Sequence, residues 1–391
     1  MSVLSERTAK PRNERTVKNP IPWYTPRFWH GMRFSTWLST LAKNGFPVSF
    51  TRLHTAFSIT FFSVANSLFA AVDRLVYGSK VAKVEITNPP IFILGHWRSG
   101  TTFLHELMIR DPEFTFPTTY QCYVPHHFVF TESWLAPLTQ KLLPSRRPMD
   151  NMAAGWFRPQ EDEFALANLG VPSPYLSMMF PSRGEVYREY LDLRDLPESE
   201  HKNWREALLN FFRRLTLRDQ RRIVVKSPPH TARVKTLLEM FPDAKFVHIV
   251  RDPCKLFMST INLWKSLNEV QRMQGTGDQQ WVEEYVLSSF ERMYAAFEQD
   301  RQLLNDDQLY ELHYEDLVEN PLEQIRELYA SLDLGDFSRV EPALQEHLAD
   351  VKNYRSNRYD LPAEKLETIR NRWSNYFERY GYSILPEVAE I

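Results

Sequence analysis

Cysteine is scarce in this 391-residue chain, which has only Cys122 and Cys254. Two thiols make neither a disulfide framework nor a metal-ligand cluster. They read as reduced thiols of a cytosolic protein. The patterns His-Glu-x-x-His and Cys-x-x-Cys are also missing, so no structural or catalytic metal is expected. Charge of one sign is lacking as well: 47 Lys and Arg against 49 Asp and Glu leave a net charge of -2. Without a basic excess, a nucleic-acid coat is not expected. Any anion site must be built from local charges. The N-terminus starts polar, without the short apolar core of a secretory signal. There is no internal repeat and no low-complexity tract.

What is present is ordinary for a globular chain: 43% hydrophobic and 25% charged residues. That composition supports a substantial core, in one large domain or two smaller ones. Thr55 to Val72 carries no charge. It is borderline in length against the roughly 20 predominantly apolar residues of a spanning helix, and Ser58, Ser63, Asn66 and Ser67 dilute it. Drawn as a helix, it places Leu53, Phe57, Phe61, Val64, Leu68 and Leu75 in one stripe. Before it come Arg7, Lys10, Arg12, Arg15, Lys18, Arg27, Arg33, Lys43 and Arg52, against Glu6 and Glu14 alone. Three readings stand for residues 53–76: a helix lying peripherally in a membrane interface, one packed on the catalytic domain, or a membrane span whose basic flank keeps the N-terminus cytoplasmic and puts the enzyme outside.

From residue 89 the chain takes up an α/β rhythm. Ile91–Leu94, Ile223–Val225, Phe246–Val250 and Gln308–Tyr314 read as strands. Helices are expected over Thr101–Ile109, about Thr231–Met240, Pro253 to about Asn268, Pro321 to about Leu332, and Ala363–Tyr380. Asp252-Pro253 offers an N-cap and a first-turn proline. The pattern predicts a three-layer α/β fold, a parallel sheet flanked by helices. Residues 112–220, rich in Pro and aromatics, interrupt it and read as an insertion shaping an acceptor site. The division expected is 1–88, a basic segment with the apolar helix, and 89–391, the catalytic domain.

Gly95-His96-Trp97-Arg98-Ser99-Gly100-Thr101-Thr102 lies between a buried strand and a helix. Backbone N–H groups at a helix start lack partners, and with the helix dipole they form an anion site. Gly95 and Gly100 would let the backbone approach a phosphate. Ser99, Thr101 and Thr102 add hydroxyls, and Arg98 adds a positive charge. A Walker A loop would need Lys where Thr101 stands, which counts against an ATPase or ordinary kinase.

Strand, GHWRSGTT and helix together resemble the 5'-phosphosulfate loop of sulfotransferases that use 3'-phosphoadenosine 5'-phosphosulfate (PAPS). The resemblance is to the P-loop-like bacterial branch related to tyrosylprotein sulfotransferases, and it covers roughly Pro89 to Tyr382. It implies a cation at Arg98 for the leaving group and the product PAP. A second motif, Phe246 to Pro253 with Ser259, is similar to the family's 3'-phosphate site. There the planar fork of Arg251 and the Ser259 hydroxyl would hold the phosphate. Leu312 to Pro321 resembles the family's Tyr-Glu-Asp-Leu strand end and implies that Tyr314 contacts the nucleotide. Arg355 and Asn357 fall where relatives place a late loop over PAPS.

Sulfuryl transfer also needs a base for the attacking hydroxyl. Gln121 stands where the tyrosylprotein branch would place a carboxylate, and Gln cannot serve. His230, after Lys226-Ser-Pro-Pro, ranks first; Glu161 ranks second and Glu163 third, with His126 and His127 behind them. The expected function is transfer of a sulfuryl group from PAPS to a hydroxyl or amine of a small or lipid-like acceptor, without metal. The expected location is the cytoplasm, peripheral on the cytoplasmic membrane face. The rivals are a P-loop-like nucleotide kinase or NTPase, and a non-catalytic PAP-binding membrane adaptor.

Overall fold

The structure is a computed structural model describing residue 22 and residues 24–383 other than 145, 147–152, 276, 278 and 352–360. Arg355 and Asn357 therefore lie outside the described residues. Five strands, β1 Ile91–Leu94, β2 Phe114–Thr115, β3 Arg222–Lys226, β4 Lys245–Val250 and β5 Leu309–His313, form a sheet in the order β2-β3-β1-β4-β5. Every pairing is parallel, and Phe92 stands opposite Val225 on one side and Phe246 on the other.

The helices before β3 are α1 Phe34–Lys43, α2 Leu53–Ala82, α3 Thr101–Met108, α4 Thr119–Tyr123, α5 Phe128–Thr139, α6 Asp162–Leu169 and α7 Glu198–Arg218. After it come α8 Val234–Met240, α9 Pro253–Gln271, α10 Trp281–Asp300, α11 Tyr314–Glu319, α12 Pro321–Leu332, α13 Glu341–Val351, α14 Ala363–Arg372 and α15 Ser374–Arg379.

Strand side chains alternate between faces, so two cores result. Phe92, Leu94, Val225, Phe246 and Val250 join Leu208 and Phe212 of α7 and Phe290 of α10 in one. Ile91, Ile93, Val224, Val247 and Ile249 join Leu104 of α3 and Leu328 of α12 in the other. The three-layer expectation holds. The start of the expected 231–240 helix instead runs as a 3-10 turn, Pro228–Ala232, because Pro228 and Pro229 carry no N–H. The expected helix 363–380 divides at Trp373, whose indole is buried and stacked on Phe290 at 3.8 Å. The interruption at 112–220 opens with β2 on the sheet edge, paired to β3.

Helix α2 is inverted relative to an ordinary surface helix. Its polar side faces the protein. Asn66 donates to the carbonyls of His30 and Met32 at 2.7 and 3.1 Å. Asp73 pairs with Arg214 at 2.6 Å and accepts from the Phe130 N–H. The predicted apolar stripe faces outward: Phe57 is 77%, Leu68 65% and Leu75 85% exposed. The helix thus packs on the rest of the chain through its polar groups and leaves a bare apolar face.

Candidate active site

The chain reverses direction in the sheet beside β1, and in such sheets ligands bind outside the carboxyl ends of the strands at that switch. The loops after β1 and β4 meet there. Gly95 (φ +145°), Arg98 (φ +71°) and Gly100 (φ +107°) all have left-handed backbone, a costly region for residues with a Cβ. A Cβ on Gly95 would lie 2.7 Å from the Ile249 oxygen, and one on Gly100 would lie 2.3 Å from the Tyr314 ring. The glycines are thus required by the protein's own neighbours rather than by open space for a phosphate. The Gly95 N–H donates to Thr231 Oγ1 at 2.7 Å, and Thr260 Oγ1 donates to the Trp97 oxygen at 3.0 Å. Loop shape is therefore clamped from β3's following turn and from α9.

The two predicted anion motifs converge. Arg98 Nε donates to Ser259 Oγ at 3.0 Å, and Arg251 Nη1 donates to the backbone oxygen of Arg98 at 2.8 Å. The Arg251 guanidinium lies over the Tyr314 ring, 4.3 Å from its centre. Tyr314, expected on the nucleotide, is thus wedged between Gly100 and Arg251 and aims the arginine. Two buried donors here have no protein partner: Ser99 Oγ and Arg251 Nε. Buried polar groups are nearly always paired, so these orphans fit a nucleotide whose phosphates complete them. Thr101 is buried and Thr102 half-buried at the first turn of α3. Tyr376 of α15, which sequence reasoning missed, accepts from the Arg251 N–H at 3.1 Å and donates back to its carbonyl at 3.2 Å.

The candidate bases separate clearly. Glu161 precedes α6 with its side chain 16% exposed, and Lys226 Nζ at the end of β3 donates to its Oε1 at 2.6 Å. Its Oε2 accepts from the Tyr175 hydroxyl, which itself accepts from Trp97 Nε1 at 2.9 Å. A chain of hydrogen bonds therefore runs from the residue beside Arg98 to Glu161. Trp97 and Lys226 were read from the sequence only as parts of their motifs, without these roles, and Tyr175 was not singled out at all.

His230 is wholly buried, its Nε2 2.8 Å from Asp162 Oδ2 and its ring edge-on to Phe92. Burial would raise the Asp162 carboxyl, but His230 and Ser227 outweigh it and hold the group below its ordinary value. Glu163 is buried in a two-pronged pair with Arg233, at 2.6 and 3.2 Å, and accepts from Ser173 at 2.6 Å. His126 bonds the Asn168 oxygen at 2.8 Å, and His127 bonds Thr131 at 2.9 Å. Gln121 closes a capping box with Thr118 and donates to Glu132.

Comparison with known proteins fits this geometry. A family model described as "Sulfotransferase family" matches residues 89–339. Two proteins named omega-hydroxy-beta-dihydromenaquinone-9 sulfotransferase Stf3, from Mycobacterium bovis and Mycobacterium tuberculosis, are each 42% identical over 371 residues. The match covers 94% of this chain and 95% of theirs. The crystal structure of sulfotransferase STF9 from Mycobacterium avium superposes with a TM-score of 0.65 at 17% identity, covering 90% of this chain and 98% of that one. Sulfotransferase STF1 from Mycobacterium tuberculosis gives 0.59 at 18% identity, over 87% and 90%. At that identity, these two structures show a shared fold.

Proposed function

The chain belongs to the sulfotransferase family and is an enzyme that transfers a sulfuryl group to a hydroxyl acceptor; from that premise we propose how its residues do so, and on what. The donor is PAPS, held with its 5'-phosphosulfate on the loop Arg98 to Thr102 and its 3'-phosphate on Arg251 and Ser259. The observation carrying this reading is the joining of Arg98, Ser259 and Arg251 in one crevice beside the orphaned Ser99 Oγ and Arg251 Nε. When bound, PAPS supplies the sulfuryl group and departs as PAP.

Glu161 takes the proton from the acceptor hydroxyl as its oxygen bonds to sulfur. It favours this role over His230 because its carboxylate is partly open, whereas both His230 and its Asp162 partner are sealed. Lys226 and Tyr175 fix the carboxylate's orientation, a positioning effect worth a large share of such a reaction. Arg98 meets the charge that develops on the oxygen leaving sulfur.

The acceptor is a membrane-resident lipid bearing a hydroxyl, of the class named for the mycobacterial relatives. Two features support this: those relatives' names and the bare apolar face of α2. Arg52 at the start of α2 and Arg74, Lys80 and Lys83 farther along supply charge complementary to an anionic bilayer. The face lies on the cytoplasmic leaflet, and the polar contacts of Asn66 and Asp73 argue against a span, which would break them.

The test incubates the protein with radiolabelled PAPS and a cell lipid extract, then separates the products. A labelled lipid is expected with wild type and not with Arg98→Ala. Label only in water-soluble products would overturn the acceptor class. Indifference to PAP in calorimetry would overturn the donor.

A further inference from the structure

Strand β4 ends at Val250, the last of its residues paired to β5. Arg251 therefore leaves the ladder with its N–H and its carbonyl in need of partners. Both find one group, the hydroxyl of Tyr376 on α15. The Arg251 N–H donates to that hydroxyl at 3.1 Å, and the hydroxyl donates to the Arg251 carbonyl at 3.2 Å. A hydroxyl has one proton to give and lone pairs that accept, so a single tyrosine serves both ends of the residue.

The tyrosine is itself held in place. Tyr376 is buried, with the rings of Phe290, Tyr294 and Tyr380 at 4.9, 4.7 and 4.7 Å from its own. Burial pushes its hydroxyl well above the ordinary value, so it remains a donor at neutral pH.

The next peptide is held as well. The Asp252 N–H donates to Glu315 Oε1 at 3.2 Å. Tyr382, whose ring is parallel to that of Tyr376, donates to Glu315 Oε2 at 3.0 Å. Glu315 follows Tyr314, the ring that lies against the Arg251 guanidinium. Asp252 in turn caps α9 through the N–H groups of Cys254 and Lys255, and α9 carries Ser259. The matched family region stops at residue 339, so α15 and Tyr382 lie beyond it.

We propose that Tyr376 is a positioning residue for the donor's 3'-phosphate: it fixes the backbone of Arg251 so that the guanidinium meets that phosphate, with Glu315 as the second support. The inference rests on the reading of Arg251 as the 3'-phosphate group given above and adds the C-terminal segment to that site. Tyr376 acts through Arg251 rather than on the nucleotide.

The test compares PAP with adenosine 5'-phosphate by calorimetry, since the two differ only in the 3'-phosphate. Tyr376→Phe removes one oxygen and keeps the ring. It is expected to weaken PAP about tenfold, the worth of one hydrogen bond, and to leave adenosine 5'-phosphate nearly unchanged. The KM for PAPS should rise by the same factor with kcat nearly unchanged, the pattern of lost uniform binding. Tyr380→Phe strips a hydroxyl from the same aromatic cluster, one bonded to Glu298 and Glu311. It is expected to keep the wild-type ratio of the two affinities. A merely structural hydroxyl would lower the melting temperature of Tyr376→Phe and leave that ratio where it was, which overturns the proposal. Equal falls in the ratio for Tyr376→Phe and Tyr380→Phe would overturn it too, since only one of the two hydroxyls touches Arg251. Should Tyr376→Phe not fold, Glu315→Ala frees the Asp252 N–H and reads the same ratio. A lowered ratio there supports the clamp, and a preserved one overturns it. Wild type that binds the two nucleotides equally would sink the reading of Arg251 itself, whereas a preference for PAP that survives Tyr376→Phe would sink only the positioning role.

Discussion

Arg251, at the end of β4, donates to the backbone oxygen of Arg98 in the loop after β1, across 2.8 Å. One side chain thus holds the left-handed turn at Arg98 and keeps its Nε buried without a protein partner. Arg251→Lys keeps the charge but loses the fork. PAP affinity should fall about 10- to 100-fold, the loss for one or two charged hydrogen bonds. Calorimetry with PAP and with adenosine 5'-phosphosulfate separates the two jobs. A 3'-phosphate contact predicts a larger loss for PAP, and equal losses would leave only loop support.

Gly100→Ala should be severe. Its backbone sits in the left-handed region, which costs a residue with a Cβ about 1–2 kcal/mol, and the added carbon would strike the Tyr314 ring. The ring must shift, taking its cation–π contact with Arg251 along. Denaturant unfolding and PAP binding should both weaken. Unchanged PAP binding would show that Tyr314 does not aim Arg251.

Glu161→Gln should lower turnover about 100- to 10,000-fold, the range for a lost general base, with PAP affinity preserved. His230→Leu should act differently. It strands the buried Asp162 carboxylate, and breaking such a pair costs about 3–5 kcal/mol. Loss of melting temperature, with turnover of the remaining folded enzyme near normal, is the expected result. Full turnover in Glu161→Gln would return the role to His230.

Glu311 gives a pH test. Burial would raise its carboxyl, but His248 and Arg301 outweigh it and hold the group at about 2 against an ordinary 4.5. A lowered folded value contributes stability in full above 4.5 and loses it as pH falls toward 2. The stability gap between wild type and Glu311→Gln, read from urea midpoints, should be constant from neutral pH to about 5 and narrow below that. A gap that widened on acidification would contradict the pairing.

Much of the sheet was legible because β1, β3 and β4 are short apolar runs closed by turn residues, a local signal. The loop and Arg251 were legible for a related reason: their chemistry is written in contiguous residues. The support around them was not. Tyr175 meets Glu161, and Tyr376 meets Arg251, through folds of the chain that no period announces. His230 ranked above Glu161 in the sequence because it stands just past a strand end, and only burial separates them. The stripe on α2 was visible as a stripe, but its outward direction depends on Asn66, Asp73 and their distant partners.

A helix whose hydrogen-bonding side is already spent on its own protein cannot hide its greasy side by turning over. On the bilayer reading proposed above, the wetting penalty of α2 is relieved at a boundary between phases. Turnover should accordingly scale with the area of interface offered and with the number of acceptor molecules per unit of that area, while the water-borne donor obeys ordinary concentration.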